Sequence, residues 1–336
     1  MWGLIAPTGS NIIYNIYRYM RKILAIALIV MVAIGCGKEH QTLGPQQIGF
    51  ASQISRSLID SPEVLCTQQI SLYGSYTFDG RSARVFDGER LYYDSQISAW
   101  DYNNTQYWIM GAYYRFSAVC PYSVSCTYTD SGEVVIPSYS SYTDGSDILY
   151  AYQVRDLAVA EDYSEVPLSF HHACAAVKFS IVNGSSSVLT DVRNIRLVGL
   201  HNKGDFRIGA DGTAGWTLDS STVPAVSEEH PFAGVCTLPS GGLPVNISVD
   251  YSLYDNGAVV VLPQSIYKSG VTLHLEYKKV GDSAYAVRDL ELGMLGGTTP
   301  TEWKAGEVYK YKLNITDNTI TAEVTVVDWI DNFVDL

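Results

Sequence analysis

The sequence predicts an all-β protein that folds as two tandem antiparallel β-sandwiches behind a short N-terminal export segment. Three observations support this prediction. Apolar and polar residues alternate with a period of two in run after run, and turn-forming residues such as Asp-Gly separate the runs. No stretch after Cys36 keeps a 3.6-residue period. Because alternation of this kind is typical of antiparallel sheets packed on one side only, two sandwiches are the economical way to bury these strands.

The N-terminal segment has the features of a signal peptide. Arg21 and Lys22 precede an uninterrupted apolar run over 23–34, which is shorter than the roughly 20 residues that a membrane-spanning helix needs. A basic end before a short apolar run predicts a signal peptide over residues 1–35, with Met20 as the true start. The ending AIGC over 33–36 resembles the bacterial lipobox, which implies cleavage before Cys36 and acylation of its thiol. The alternative is an ordinary signal peptide that happens to end near a cysteine.

The chain after the signal peptide is predicted to be a polar tether followed by an acidic body. Residues 36–47 contain Gly, Pro and Gln without a strand pattern, and several acyl chains on Cys36 would hold this tether firmly at a membrane. The whole chain carries a formal net charge of −13. Since the binding of phosphate groups requires clustered Lys and Arg, this charge argues against nucleic acid as a partner.

The first sandwich is predicted over residues 48–160. Alternating runs occupy 70–78, 108–118, 134–136 and 148–154, and pairs such as Asp79-Gly80 mark the turns between them. The run over 70–78 is predicted to bury Phe78 on the same face as Ile70. The run over 108–118 is predicted to place five apolar residues on one face: Trp108, Met110, Tyr114, Phe116 and Ala118.

The second sandwich is predicted over residues 161–336, and the boundary is expected between 157 and 166, where the sequence is acidic and unpatterned. Alternating runs occupy 177–181, 247–253, 271–277 and 309–315. In this pattern Leu273 and Leu275 point inward, and His274 points outward. The apolar phase is even up to Phe170 and odd from Val177, which predicts a bulge or break between 173 and 176.

No pattern of catalytic or metal-binding residues appears in the sequence. Six His are present, but His171 and His172 are neighbours that would point to opposite faces of a strand. No Cys and His stand at ligand spacing, and the HExxH, GxSxG and P-loop motifs are absent. The sequence therefore predicts a protein that is not an enzyme and that binds no metal or cofactor.

Two further clusters each have two interpretations. Cys120 and Cys126 are six residues apart and could form a disulfide across a turn, or they could be buried free thiols that act as small hydrophobes. Four aromatic residues flank the polar stretch over 103–105, and they could form a platform for stacking sugars or pack into the core: Trp100, Tyr102, Tyr107 and Trp108.

Five short segments resemble motifs of one known protein family. A W-x-A-G-x-x-Y-x-Y pattern over 303–311 is followed by a strand that closes in Asp328-Trp329. The segment over 168–179 (LSFHHACAAVKF) is similar to an F-x-H-x-x-A segment, and 261–264 (VLPQ) and 147–151 (DILYA) match an L-P-Q turn and a D-L-L-Y-A strand. In order and spacing this set is similar to the fimbrillin family of Bacteroidales, the lipoprotein pilins of the type V kind.

The resemblance implies a fold, a location and a mode of assembly. Members of the family fold as two transthyretin-like sandwiches and reach the outer membrane as lipidated precursors. An arginine-specific protease removes the first strand, and a strand of the next subunit fills the vacated groove. On this basis we expect a fimbrial subunit or fimbria-associated lipoprotein on the surface of the outer membrane. Its expected partners are other subunits and a host or bacterial surface receptor.

The residues that would take part in assembly can be placed on this sequence. The first strand would be 48–54, with Ile48, Phe50 and Ile54 on one face, and the strand-like segment 325–336 would be donated to a second copy. The cut would follow Arg56, which Ser flanks on both sides where many relatives have Thr-Arg-Ala, and Arg56 could equally be an exposed loop residue. The sequence leaves stalk, tip and anchor roles open. A glycan-binding surface lipoprotein and a secreted hydrolase are the alternatives from other functional classes.

Overall fold

The computed structural model describes residues 45–54, 65–141, 147–220, 238–247, 258–296 and 299–329. The chain divides into two compact units, Met1–Gln46 and Gln47–Leu336, and every element described below belongs to the second unit. Within the described ranges this unit consists of twenty β-strands and one 3-10 helix, Leu292–Met294. The predicted all-β class is therefore confirmed.

The strands follow one another closely along the chain. Those of the N-terminal half are β1 (Phe50–Ile54), β2 (Gln69–Phe78), β3 (Arg81–Asp94), β4 (Ala99–Asp101), β5 (Tyr113–Cys120), β6 (Thr127–Tyr128), β7 (Val134–Ser140), β8 (Leu149–Asp156) and β9 (Val166–His172). Those of the C-terminal half are β10 (Ala175–Asn183), β11 (Leu189–Val198), β12 (Lys203–Ile208), β13 (Ala214–Leu218), β14 (Val259–Val261), β15 (Gln264–Ser265), β16 (Thr272–Lys279), β17 (Ala286–Glu291), β18 (Glu302–Trp303), β19 (Glu307–Ile315) and β20 (Ile320–Asp328).

Seven strands form the largest sheet, in the order β1-β9-β8-β5-β2-β3-β4. One face of this sheet encloses an apolar cluster, the first core, and β1 also lies against β4 across it. Ile70 and Leu72 face this core, as their alternation predicts, whereas Tyr73 faces the opposite side and is buried there as well. The sheet is thus covered on both faces, which corrects the expectation that it packs on one side only.

Two sheets face each other in the C-terminal half, β14-β10-β19-β20 and β11-β16-β17. Their inner faces form the second core. Tyr309, Tyr311 and Leu313 are buried in it, and Lys310 and Lys312 between them are only half-buried, so the predicted face of β19 is confirmed. Full burial of one such apolar side chain contributes about 1.5–3 kcal/mol, which makes this face the main source of stability here.

A third core joins the two halves of the chain. The sheet β13-β12-β7-β6 covers the second face of the seven-stranded sheet, and side chains from both halves meet between them: Tyr73, Val119, Ile148, Ala176, Phe206, Leu262, Val308 and Trp329. β7 pairs with β12, and β9 pairs with β8, so strand pairing crosses the expected boundary between 157 and 166. The division into 48–160 and 161–336 stays a prediction.

The chain passes from the first sheet to the second at Ala173 and Cys174. β9 ends at His172 and β10 begins at Ala175, so the break that the phase change predicted is confirmed. Both intervening residues are buried. The crossing is therefore made inside the protein, without an exposed linker.

The structure corrects several other predictions. β1 pairs with β9 and β10 pairs with β19 in parallel, although alternation suggested antiparallel sheets throughout. Met110 is exposed, because Gly111 at φ 74° turns the chain before β5 begins. Phe78 is also exposed, since it ends β2 at a hairpin. His274 is buried in the central strand of its sheet and contacts Asp289. The predicted strand over 247–253 lies almost wholly outside the described residues.

Candidate functional site

In the part of the chain that the structure describes, β1 is an edge strand of the seven-stranded sheet. Its five residues pair in parallel with Val166 through Phe170 of β9. Ile48 and Phe50 are buried in the first core, as predicted, and of Ile54 only the backbone is described. Parallel pairing is slightly less stable per residue than antiparallel pairing. Removal of this strand would break one ladder and leave the pairing of the other six strands intact.

Phe50 is the main apolar anchor of β1. Its ring packs edge-to-face against three aromatic rings, with centroid distances of 5.7 Å to Phe86, 6.0 Å to Tyr102 and 5.5 Å to Phe116. Aromatic pairs of this geometry contribute about 0.5–1.5 kcal/mol each beyond the area that they bury. The slot that Phe50 fills is therefore matched in shape and chemistry to a large apolar side chain.

The backbone that leads into β1 is fixed by hydrogen bonds. The Ile48 N–H donates to the Gln106 carbonyl at 2.9 Å, and the Tyr102 hydroxyl donates to the Ile48 carbonyl at 2.8 Å. The Val166 N–H donates to the Gly49 carbonyl at 2.8 Å. Burial raises the pKa of Tyr102, so its hydroxyl remains protonated as a donor. Without residues 48–54, these donors and acceptors would lose their partners inside an apolar site.

A second cluster lies where β9 ends, and we call it the junction: Asp147, His172, Cys174, Gly306 and Trp329. Asp147 Oδ2 and His172 Nδ1 are 2.7 Å apart, and both side chains are almost fully buried. The contact has the distance of an ion pair without the angles of a hydrogen bond. The His172 ring stacks on the Trp329 indole, with centroids 4.2 Å apart and planes 9° apart.

Gly306 connects three parts of the junction. Its N–H donates to the Cys174 carbonyl at 2.8 Å, and its carbonyl accepts from the Trp329 N–H at 2.9 Å. The φ angle of Gly306 is 74°, a conformation that favours glycine, which explains this residue of the W-x-A-G motif. Burial raises the pKa of the Cys174 thiol well above its usual value, so this side chain acts as a small hydrophobe.

The remaining motif residues close turns and sheet corners around these cores. Trp303 Nε1 donates to the Tyr311 hydroxyl at 3.1 Å, which links the two ends of the W-x-A-G-x-x-Y-x-Y segment. The Gln264 side chain accepts from the His201 N–H and donates to the His201 carbonyl, both at 2.8 Å. The side-chain amide of Gln264 thereby makes the pair of backbone hydrogen bonds that a neighbouring strand would make. These contacts hold the fold and expose no reactive group.

The structure shows whether the four aromatic residues around 103–105 form a sugar-stacking platform or pack into the core. Tyr102 and Trp108 are buried in the first core, and Trp100 is half-buried against it. Tyr107 alone of the four is exposed, so they form no platform for sugars. Packing into the core is the correct interpretation.

The predicted lipidation and processing residues, Cys36 and Arg56, both lie outside the described residues.

Cys120 and Cys126 are free thiols, and burial raises the pKa of Cys120 to about 12. The ranges given above contain no group of three or more His, Cys, Asp or Glu that could hold a metal ion. Within the same ranges no helix is both long and apolar enough to cross a membrane.

Sequence reasoning missed the contact of Asp147, His172 and Trp329. Each of these residues belongs to a different one of the family-like segments, so the segments themselves were the available signal. What joins them is topology: β8 and β9 are antiparallel neighbours, and the end of β20 returns beside Gly306. Spacing along the chain does not contain that information.

Comparison with known proteins gives a consistent result. A family model described as fimbrillin-like matches residues 66–329. A fimbrial protein from Bacteroides vulgatus shares the fold at 16% identity, with a TM-score of 0.59 over 84% of this chain and 99% of that one. A "putative cell adhesion protein" from Bacteroides uniformis does so at 13% identity, with a TM-score of 0.54 over 86% and 100% of the two chains. No curated protein sequence matches the chain.

Proposed function

Because the chain belongs to the fimbrillin-like family, we propose that it is a fimbrial subunit or fimbria-associated surface lipoprotein that assembles by strand exchange and mediates adhesion without catalysis. Membership implies a cell-surface or fimbrial location. The observation that best supports the assembly mechanism is β1, an edge strand that plugs an apolar slot with Phe50.

The physical argument for exchange starts from what the loss of residues 48–54 would leave behind. The rings of Phe86 and Phe116 would face water, and the β9 edge would present unpaired backbone groups. Such an edge is a template for pairing with another chain. A strand from a second copy would satisfy the backbone and refill the slot at the same time, which is β-augmentation.

The contacts of the last strand suggest which segment would be donated. Ile320 is buried, Val324 packs against the second core, and Trp329 is stacked in the junction, so these residues support their own subunit. We therefore shorten the donated segment from 325–336 to 330–336 (IDNFVDL). This segment is as long as 48–54 and contains large apolar residues that could replace Phe50.

The lipid anchor and the processing step belong to the same proposal. Acylation of Cys36 would hold the precursor at the outer membrane, and a cut after Arg56 would release both the anchor and β1. A chain that keeps β1 could not accept a strand at that groove and would act as an anchor subunit. A chain that is cut but accepts no further subunit would act at the tip.

The test is treatment of the purified protein with an arginine-specific protease, followed by denaturing electrophoresis without heating. We expect a cut after Arg56 and ladders of high molecular weight. Deletion of 330–336 should abolish the ladders and preserve the cut. Arg56→Lys, the matched control, should prevent both.

Each departure from this result has a defined meaning. Protein that is cut but stays monomeric would contradict the stalk role and favour a tip role. Protein that resists the protease at Arg56 would favour an anchor role. Ladders that persist after deletion of 330–336 would exclude that segment as the donated strand.

A further inference from the structure

Four apolar side chains are exposed at one end of the seven-stranded sheet, and we call them the rim. Their exposed fractions are 45% for Phe78, 50% for Tyr107, 67% for Met110 and 83% for Val159. A Cβ placed on Gly111 would lie 3.7 Å from the Phe78 ring, so Phe78 and the loop that carries Met110 are neighbours. Apolar side chains gathered on a soluble surface commonly mark a site of interaction.

Backbone pairing places the other two rim residues at the same end. Tyr107 forms a β-bridge with Gln47, next to the start of β1. The Leu157 N–H donates to the Ala112 carbonyl at 3.0 Å, which ties the segment with Val159 to the loop with Met110. The rim therefore surrounds the point at which the chain enters the sheet.

The predicted tether ends at this point. It runs from Cys36 to Gln47, and a chain of that length reaches roughly 40 Å at most. β1 runs away from the rim toward Phe170, so the junction lies at the opposite end of the sheet. Acyl chains on Cys36 would thus hold the rim end, and not the junction end, beside the bilayer.

We propose that the rim is a membrane-contact surface of the lipid-anchored protein, an inference that rests on the proposed acylation of Cys36. Exposed Phe, Tyr and Met side chains suit the boundary between headgroups and acyl chains, where apolar groups bury while polar tips stay hydrated. The anchor brings the surface to the bilayer, and the rim sets the orientation of the body on it.

The charges near the rim determine which lipid headgroups it can approach. The two stretches that carry Phe78 and Val159, 78–81 and 155–165, contain five carboxylates and two guanidinium groups: Asp79, Asp156, Glu161, Asp162, Glu165, Arg81 and Arg155. Arg155 is paired with Asp162 and is not available to a headgroup. An excess of negative charge repels an anionic surface, so the rim fits electroneutral headgroups such as phosphatidylcholine.

The test uses the acylated protein in phosphatidylcholine vesicles that contain a lipid-borne fluorescence quencher. An environment-sensitive fluorophore is attached at Met110→Cys, in a chain whose Cys66, Cys126 and Cys236 are replaced by Ser. The matched control is the same label at Val280→Cys, which is 60% exposed in the C-terminal half. We expect a blue shift and several-fold stronger quenching for the label at position 110, and weaker quenching when phosphatidylglycerol is added.

A second variant tests whether the rim touches the bilayer or is only held near it by the tether. Phe78→Glu with Tyr107→Glu should lower the quenching at position 110 to the level of the control, because the tether is unchanged and only the rim has lost its apolar character. Quenching that persists in this variant, or that is equal at 110 and 280, would overturn the membrane-contact surface while leaving the anchor in place. Protein that does not stay with the vesicles would refute acylation and this inference with it. A blue shift that rises with protein concentration without vesicles would identify a protein partner instead.

Discussion

Replacement of Phe50 by Ala tests whether β1 is an integral plug of the first core. Phe50 is 2% exposed and makes edge-to-face contacts with three rings. A buried Phe→Ala change typically costs about 3–5 kcal/mol, and the three rings around this site favour the upper part of that range. The expected loss would lower the midpoint of urea unfolding by about 1 M or more.

The matched control for this experiment is Phe78→Ala. Phe78 is the same residue type in the same sheet, but it is exposed at a hairpin, so its replacement should change the free energy of unfolding by less than about 1 kcal/mol. Both variants and the protein without substitutions are titrated with urea in their uncut form, and unfolding is followed by fluorescence. Equal effects of the two changes, or a loss below about 1 kcal/mol for Phe50→Ala, would refute the plug and remove the basis of strand exchange.

Three further predictions concern the C-terminal half and the buried thiols. Leu313→Ala should cost about 2–5 kcal/mol in urea titrations and Lys312→Ala less than about 1 kcal/mol; similar losses would mean that the face of β19 is misassigned. Hydrogen bonds from Ser186 lower the pKa of Asp317, so its charged form stabilises the fold above the unfolded pKa of about 3.9 and this stability is lost as the pH falls. Asp317→Asn should therefore reduce the drop in the urea midpoint between pH 6 and pH 3, and an unchanged drop would contradict this. Cys174, with its raised pKa, should react with a thiol reagent at pH 8 only after unfolding, as mass spectrometry would show; rapid labelling of the folded protein would be inconsistent with its burial.

The faces of regular strands could be predicted because alternation is a local property. Leu273 and Leu275 were assigned to the core from the sequence, and the structure buries both. The break between β9 and β10 was predicted in the same way, from a change in phase between Phe170 and Val177. In both cases the information lies within a few neighbouring residues.

The direction of pairing and the fate of polar residues could not be predicted, because both depend on distant partners. Alternation is the same in a parallel and an antiparallel strand, so the parallel pairing of β10 with β19 left no signal. His274 was expected to face solvent, but β11 and β17 flank its strand on both sides and Asp289 lies 2.7 Å from its ring. The candidate site shows the same limit, since its motifs were visible one by one and their convergence was not.

The stacking of His172 on Trp329 has a mechanical consequence. If subunits join as proposed, tension enters each one through the strand held against β9 and leaves it through the segment after Trp329. β9, against which that strand would pair, ends at His172 in the junction, where Gly306 also bonds to Cys174 and to Trp329. The load would then pass through β9 and the junction to Trp329. The sheets around the second core would carry little of it. That part of the molecule could change its outer surface without weakening the filament.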